Sequence, residues 1–416
     1  MRLIDDIVAA APQMRAIRRD IHAHPELRFA EHRTAELVAS TLAGWGIEVH
    51  RGLGGTGVVG LIRGTRTAVP AGPLRSIGLR ADMDALPIEE QNFFEHRSTH
   101  AGRMHACGHD GHTAMLLAGA RHLARNPDFA GNVVLIFQPA EEGGAGARKM
   151  IEDGLFHRFP CDAVFAIHNW PGMEAGVMGV PLGPAMASTS EFEIVVEGRG
   201  AHAAMPHLGV DPVFVAVQIA QGLQGLLTRS KRPIDAAVLS ITTINAGDTS
   251  NVIPDRATMT GTVRSFDDGV TALIEDGMRR IALGTAQAHQ ATACVQFERS
   301  YPPTINHARE AQFAAGVAEQ VLGAGRVLRG MEPTMGGEDF AFMLRERPGA
   351  YLFLGNGSAA GAHRGAGHGA GPCTLHNASY DFNDELLPIG ASFWVRLAQR
   401  FLEDGPGARA DAGAAR

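Results

Sequence analysis

Short apolar runs alternate with segments of helical periodicity along the first part of the chain. The apolar runs are Val58–Ile62, Ile77–Leu79, Val133–Phe137 and Val164–Ile167. Helical patterns cover Thr113–Leu123, Ala145–Glu152, an opening helix to about His24 and a second helix from Glu31 to Trp45. This alternation predicts an α/β domain whose mixed, mainly parallel sheet carries helices on both faces.

A different pattern begins near Ala187. Strand-like segments at 190–198, 237–244 and 257–264 alternate with long helical patterns at 212–227 and 267–289. The β-α-β-β-α-β order is typical of a ferredoxin-like sandwich. We therefore expect residues 187–300 to form a lid domain, inserted into a catalytic domain of residues 1–186 and 301–416. The glycine-rich segment 357–371 predicts a mobile loop, and the tail 405–416 is expected to fray.

Three of the apolar runs end in polar residues, in the segments GLRADMD (78–84), LIFQPAEE (135–142) and FAIHN (165–169). Sheets of this type bind ligands at the carboxyl ends of their strands. The sequence therefore predicts a functional site at this edge.

Net charge, apolar stretches and cysteine spacing argue against several classes of function. The formal charge of −7 is spread along the chain without a basic block, which argues against nucleic acid as a partner. No apolar stretch resembles a signal peptide or a membrane span, so we expect a cytoplasmic protein without a membrane partner. The four cysteines lie far apart, unlike a disulfide framework.

Cys107 and His109 stand two residues apart in MHACGHDGHTA (104–114). In an extended segment both side chains would leave the same face of the backbone and reach one metal ion. Thiolate and imidazole suit zinc, nickel or cobalt. An inert buried cysteine beside surface histidines is the alternative. His105 and His112 flank this pair, and the spacing does not choose between them and His109.

Glu141 and Glu142 close a buried strand, where adjacent carboxylates repel each other unless a cation or a shared proton lies between them. One could hold a metal while the other transfers a proton. Alternatively, the pair only complements a helix dipole. His168 and His376 are weak candidates individually, but they complete a set. His363 and His368, in the glycine-rich loop, are expected to be solvated.

Seven segments together resemble the M20 peptidase family, and most closely its amidohydrolase branch of hippurate hydrolases, auxin-conjugate hydrolases and N-acyl-amino-acid deacylases. They are RADMDALP (80–87), HACGHDGHTAMLL (105–117), QPAEEG (138–143), GRGAHAAMPH (198–207), NVIPD (251–255), MGGEDF (335–340) and LHNASYDFND (375–384). The resemblance spans nearly the whole chain. Ala378 and Gly337 depart from the family pattern, but neither is a proposed ligand.

The resemblance implies a role for each matching position. The metal ligands would be Cys107, His109, Glu142, His168 and His376, holding two divalent ions per subunit (Zn, Mn, Co or Ni). Glu141 would be the general acid and base, and Asp82 and Asp84 would orient the ligands. His202 would act at the active site of a partner subunit, which implies a homodimer joined through the lid, with higher oligomers possible. Asn251 and Arg264 would grip the substrate carboxylate.

The expected reaction is hydrolysis of the amide bond of small N-acyl amino acids. Three alternatives stay open: a dipeptidase or carboxypeptidase on the same scaffold, a binding protein that has kept the fold without catalysis, and a hydrolase whose nucleophile is Cys107.

Overall fold

The computed structural model describes residues 1–67, 74–358 and 366–404. The helices are α1 Asp5–Ala23, α2 His32–Gly44, α3 His109–Arg125, α4 Glu141–Gly144, α5 Gly146–Glu152, α6 Leu155–Arg158, α7 Pro212–Arg229, α8 Asp268–Ala288, α9 Ala308–Leu322, α10 Ala341–Glu346 and α11 Leu386–Asp404. Short 3₁₀ turns occupy Pro206–Leu208 and Ala324–Arg326. Within the described ranges, every helix is too short or too polar to cross a bilayer.

The strands are β1 Glu48–Leu53, β2 Gly57–Arg63, β3 Ser76–Asp82, β4 Asn132–Gln138, β5 Ala163–Pro171, β6 Met178–Val180, β7 Pro184–Met186, β8 Thr189–Glu197, β9 Ala201–His202, β10 Ala237–Ala246, β11 Val252–Ile253, β12 Arg256–Ser265, β13 Thr292–Tyr301, β14 Thr304–Ile305, β15 Val327–Arg329 and β16 Gly349–Gly357. The chain folds into two compact units. The first comprises Met1–Ala185, Ile305–Glu332 and the described residues from Phe342 onward; the second comprises Met186–Thr304 and Pro333–Ala341.

The first unit is built on an eight-stranded sheet of order β1-β2-β4-β3-β5-β16-β6-β15. Its four central strands, β4, β3, β5 and β16, run parallel. In β4, Val133, Leu135 and Phe137 join the main core, while Val134 and Ile136 are equally buried on the opposite face. Strands buried on both faces read as continuous apolar runs, which is why the sequence revealed them.

The second unit contains a four-stranded antiparallel sheet of order β10-β12-β8-β13. Together with α7 and α8, its chain order is β-α-β-β-α-β, the ferredoxin-like arrangement. The buried faces of both helices share one apolar core with the sheet, including Ile219, Leu223, Ile274 and Met278. The predicted fold class, a mainly parallel α/β sheet with an α/β lid, is confirmed.

Candidate metal centre

The candidate site lies at the carboxyl edge of the parallel strands in the first unit. β3 ends at Asp82, its neighbour β4 ends at Gln138, and its other neighbour β5 carries His168 near its end. The chain leaves β3 for β4 on one side and returns to β5 on the other side. Such a change of direction opens a crevice at the strand ends.

Cys107 and His109 reach the site through a turn and not through an extended segment. Gly108 adopts a left-handed conformation (φ 92°, ψ 15°), and His109 is the first residue of α3. The Cys107 Sγ lies 3.3 Å from His168 Nε2. The prediction of an extended segment was therefore wrong, although both side chains reach the same site.

Glu141 and Glu142 follow β4 in a turn that leaves regular helical geometry at Glu142 (φ −71°, ψ 74°). Glu141 is buried, and Glu142 is partly buried. His376, whose backbone is also left-handed (φ 60°), places its Nε2 3.2 Å from Glu142 Oε1. Its backbone N–H donates to the Ala106 carbonyl at 2.8 Å, which ties this distant loop to the segment that carries Cys107.

Six side chains bring potential ligand atoms together in three overlapping groups, each with all its atoms within 4.8 Å of one another. The groups are Cys107, His109 and His168; Cys107, Glu142 and His376; and His109, Glu141 and Glu142. Because Cys107 belongs to two groups, its sulfur lies where two ions could share it. The five predicted ligands and Glu141 therefore converge.

Asp82 and Asp84 both contact the His109 ring, and Asp82 Oδ2 lies 3.7 Å from His109 Nε2. Asp84 Oδ1 lies 3.2 Å from His109 Nδ1, and Asp84 Oδ2 accepts the backbone N–H of Glu142 at 2.9 Å. Asp82 Oδ2 accepts from Arg80 Nη1 at 2.6 Å. Asp84 thus contacts the imidazole of one proposed ligand and the backbone of another.

The electrostatics of the site favour a cation. Burial, followed by the charges of Glu142, Glu141 and Asp82, holds the pKa of the Cys107 thiol well above its usual value. Burial opposes a charged His109, yet Asp82, Asp84 and Glu142 outweigh it and raise the His109 pKa to about 10. His109 Nε2 is buried and has no hydrogen-bond partner among the described residues. A divalent ion would satisfy this atom and offset the carboxylates, so the donor set fits a metal.

The sequence interpretation missed a network formed by His112, Asn169 and Tyr380. His112 Nδ1 lies 2.6 Å from Asp82 Oδ1, and His112 Nε2 accepts the Asn169 backbone N–H at 2.9 Å. The Tyr380 hydroxyl donates to Asn169 Oδ1, and Asn169 Nδ2 donates to the Cys107 carbonyl, both at 2.6 Å. His112 was detectable, because residues three apart on a helix share a face with each other.

His202, Asn251 and Arg264 lie in the second unit. His202 and Asn251 are exposed, and the backbone of His202 pairs with Val252. The Ala204 backbone N–H donates to His202 Nδ1 at 3.1 Å. Arg264 on β12 is partly buried, and this burial holds its pKa below the ordinary value.

The expectation for His368 was wrong. Its side chain is only 9% exposed, with Nε2 3.4 Å from Asp381 Oδ2 and its ring against Phe94. An anionic partner thus holds it against the protein surface. His363, with the rest of segment 359–365 of the predicted mobile loop, and the predicted frayed tail lie outside the described residues.

Comparison with known proteins gives concordant results. The model of "Peptidase family M20/M25/M40" matches residues 78–400. A thermostable carboxypeptidase of Saccharolobus solfataricus is 41% identical over 92% of this chain and 94% of its own length. A hippurate hydrolase of Campylobacter jejuni is 39% identical over 97% of this chain and 100% of its own length. A crystal structure from Bacillus subtilis, described as a dinuclear metal-binding peptidase of the M20 family, superposes with a TM-score of 0.80 at 34% identity, covering 95% of this chain and 99% of the other.

Proposed function

Because this chain belongs to peptidase family M20/M25/M40 and is a metal-dependent amidohydrolase, we propose that it hydrolyses the amide bond of small N-acyl amino acids. The products are a carboxylic acid and a free amino acid. One observation supports the proposal: Cys107, His109, Glu142, His168 and His376 fall into overlapping groups of potential ligands, one of which includes Glu141. The likeness to a hippurate hydrolase, over 97% of this chain and the full length of the relative, supports acyl substrates.

These five residues would hold two divalent ions. Mixed thiolate, imidazole and carboxylate donors suit Zn, Mn, Co or Ni. When bound, the ions supply Lewis acidity that polarises a carbonyl oxygen and lowers the pKa of water toward about 7.

Glu141 performs the proton transfers. Its carboxylate accepts a proton from the attacking water as the new C–O bond forms, and it later delivers this proton to the departing amine nitrogen as the C–N bond breaks. A buried carboxylate suits both tasks, since it is shielded from competing solvent protons. Asp82 and Asp84 act through the ligands by fixing their orientation.

The second unit supplies substrate contacts in this proposal. His202 donates a hydrogen bond to the scissile carbonyl oxygen of a substrate held by a partner subunit, which requires a homodimer. Its Nδ1 accepts a backbone N–H, so the proton of a neutral His202 ring resides on Nε2 and is available for donation. Arg264 and Asn251 bind the substrate carboxylate.

The first test is the Glu141→Gln variant, assayed with hippurate and N-acetyl amino acids after loading with each of the four metals. We expect metal content equal to the wild type and kcat lower by about 100-fold or more, since a general base contributes about 10²–10⁴-fold. A variant with near-normal kcat would remove Glu141 from this role. Chelation should abolish wild-type activity and divalent metal should restore it, whereas a Cys107 nucleophile would not need the metal.

A carboxypeptidase or dipeptidase activity is the second candidate, favoured by the likeness to the Saccharolobus carboxypeptidase. Peptide and N-acyl bonds are chemically alike. We expect kcat/KM for N-acyl amino acids to exceed that for dipeptides with a free amino terminus. The reverse order would assign the chain to peptide substrates.

A further inference from the structure

The turn that carries the two glutamates begins with an unusual backbone. Ala140 adopts a left-handed conformation (φ 54°, ψ 44°) although it has a side chain, and it is fully buried. Such residues persist only where surrounding contacts hold them. The Gly146 backbone N–H donates to the Ala140 carbonyl at 3.1 Å, which secures one side of the residue.

A carboxylate distant in sequence secures the other side. Glu31 Oε1 accepts the Ala140 backbone N–H at 2.9 Å and the Phe29 backbone N–H at 3.0 Å. Its other oxygen accepts the hydroxyl of Thr56. Glu31 itself is buried and has no cationic partner among the described residues. The carboxylate is therefore held by three neutral donors.

Glu31 and Asp84 together bracket Glu141. Glu31 accepts the amide of the preceding residue, Ala140, and Asp84 accepts the amide of the following residue, Glu142. The Asp84 bond holds the peptide plane that follows Glu141, and the Gly146 bond holds the plane that precedes it. The Glu31 bond holds the peptide plane that precedes Ala140, so both planes around the left-handed Ala140 are held.

We propose that Glu31 is a positioning residue for the reaction, because it fixes the turn that aims Glu141 and Glu142. This rests on the proposed function for the roles of the two glutamates. Glu31 acts through its reach to the Ala140 amide, and it contacts neither substrate nor metal. Its charge is not what matters: burial, the largest effect, raises the Glu31 pKa to about 6, so the site does not reward a negative charge.

Two variants separate the effect of the length of the Glu31 side chain from the effect of its charge. Glu31→Gln keeps the length of the side chain: its carbonyl oxygen can accept both backbone N–H groups, while its NH₂ donates to the Thr56 hydroxyl. Glu31→Asp keeps the charge but is one methylene shorter, so it loses the Ala140 amide. Thr56→Val is the matched control, because it removes one bond to Glu31 and leaves the contact with Ala140 intact.

We expect Glu31→Asp to lower kcat or metal affinity by about 10–100-fold, the usual range for residues that orient ligands, with KM changed by less than about twofold. Glu31→Gln and Thr56→Val should stay within about threefold of the wild type. Equal losses in the Asp and Gln variants, or no loss in the Asp variant, would overturn the proposal.

Amide hydrogen exchange of the peptide spanning residues 138–146 tests the same idea without a substrate. Exchange should accelerate about tenfold or more in Glu31→Asp and remain near the wild-type rate in Glu31→Gln, since protection follows the hydrogen bond. Unchanged exchange in the Asp variant would overturn the positioning role. If the wild type fails to hydrolyse N-acyl amino acids while the exchange pattern appears as expected, the proposed function fails and the role of Glu31 in fixing the turn stands.

Discussion

Gly108 separates Cys107 from His109, and replacing it with alanine should destabilise the first unit strongly. The added Cβ would overlap the amide nitrogen of Asn169 and the hydroxyl of Tyr380. Alanine would also be held at a φ of 92°. The structure offers a matched control in Gly154, which precedes α6 with φ 91° and ψ 27° and whose Cβ would meet nothing closer than an Arg158 carbon at 3.8 Å.

The expected loss in the free energy of unfolding follows from the contacts that each variant loses. Gly154→Ala carries only the cost of the left-handed backbone, about 1 kcal/mol. Gly108→Ala carries the same cost, and it must also displace the hydrogen bonds from Asn169 to Cys107 and from Tyr380 to Asn169. Each buried group left unpaired costs about 1–3 kcal/mol, so the total loss is about 3–7 kcal/mol.

The free energy of unfolding should be measured by urea denaturation of wild type and both variants, in chelator, so that bound metal does not add to the stability. Metal affinity, measured separately, should fall only for Gly108→Ala, because Asn169 positions the Cys107 backbone. If the two variants lose the same free energy within about 0.5 kcal/mol, close packing around Gly108 is not what stabilises this turn.

Two further outcomes are expected. Burial opposes a charged His22, but the Asp110 carboxylate raises the His22 pKa from 6.5 to about 9, so its contribution to stability is complete below pH 6.5 and is lost as the pH rises through 9. The stability advantage of wild type over His22→Gln should shrink by about 3 kcal/mol between pH 6 and 9.5, and a pH-independent difference in denaturant titrations would contradict this. Asp84→Asn should weaken metal binding about 10–100-fold in competition with a chelator, because an amide cannot serve both His109 Nδ1 and the Glu142 N–H; unchanged affinity would show that Asp84 does not orient the ligands.

The helices and strands were predictable because their apolar residues follow simple patterns along the chain. The apolar run Val133–Phe137 lies within β4, and the helical pattern Thr113–Leu123 lies within α3. Strands buried on both faces and helices with one apolar face leave these signals in any sequence. The approach of three strand ends to one another followed from the same reasoning, since parallel strands end at one edge.

The turns that deliver the ligands were not predictable from period alone. Gly108, Ala140 and His376 all have positive φ. Glycine signals such a turn, but an alanine or a histidine in this conformation is held by distant contacts, as Ala140 is by Glu31. These contacts join residues far apart in the chain, and a single sequence does not record them.

The solvated interpretation of His368 failed for a related reason. Its glycine-rich surroundings suggested exposure, yet Asp381 provides an ion-pair partner at 3.4 Å. The network of His112, Asn169 and Tyr380 likewise depends on a bond between positions 169 and 380. Polar residues that satisfy one another inside a protein look like ordinary polar residues in a sequence.

The division of the large sheet along the chain has a consequence for biosynthesis. β5 lies in the middle of this sheet, but its partner β16 is encoded after the entire second unit and α9. At ribosomal rates of about 5–20 residues per second, the nascent β5 would wait about 10–35 seconds for its neighbour. During that interval an apolar strand edge is open to other nascent chains, so chaperone capture at this stage should govern the yield of soluble enzyme.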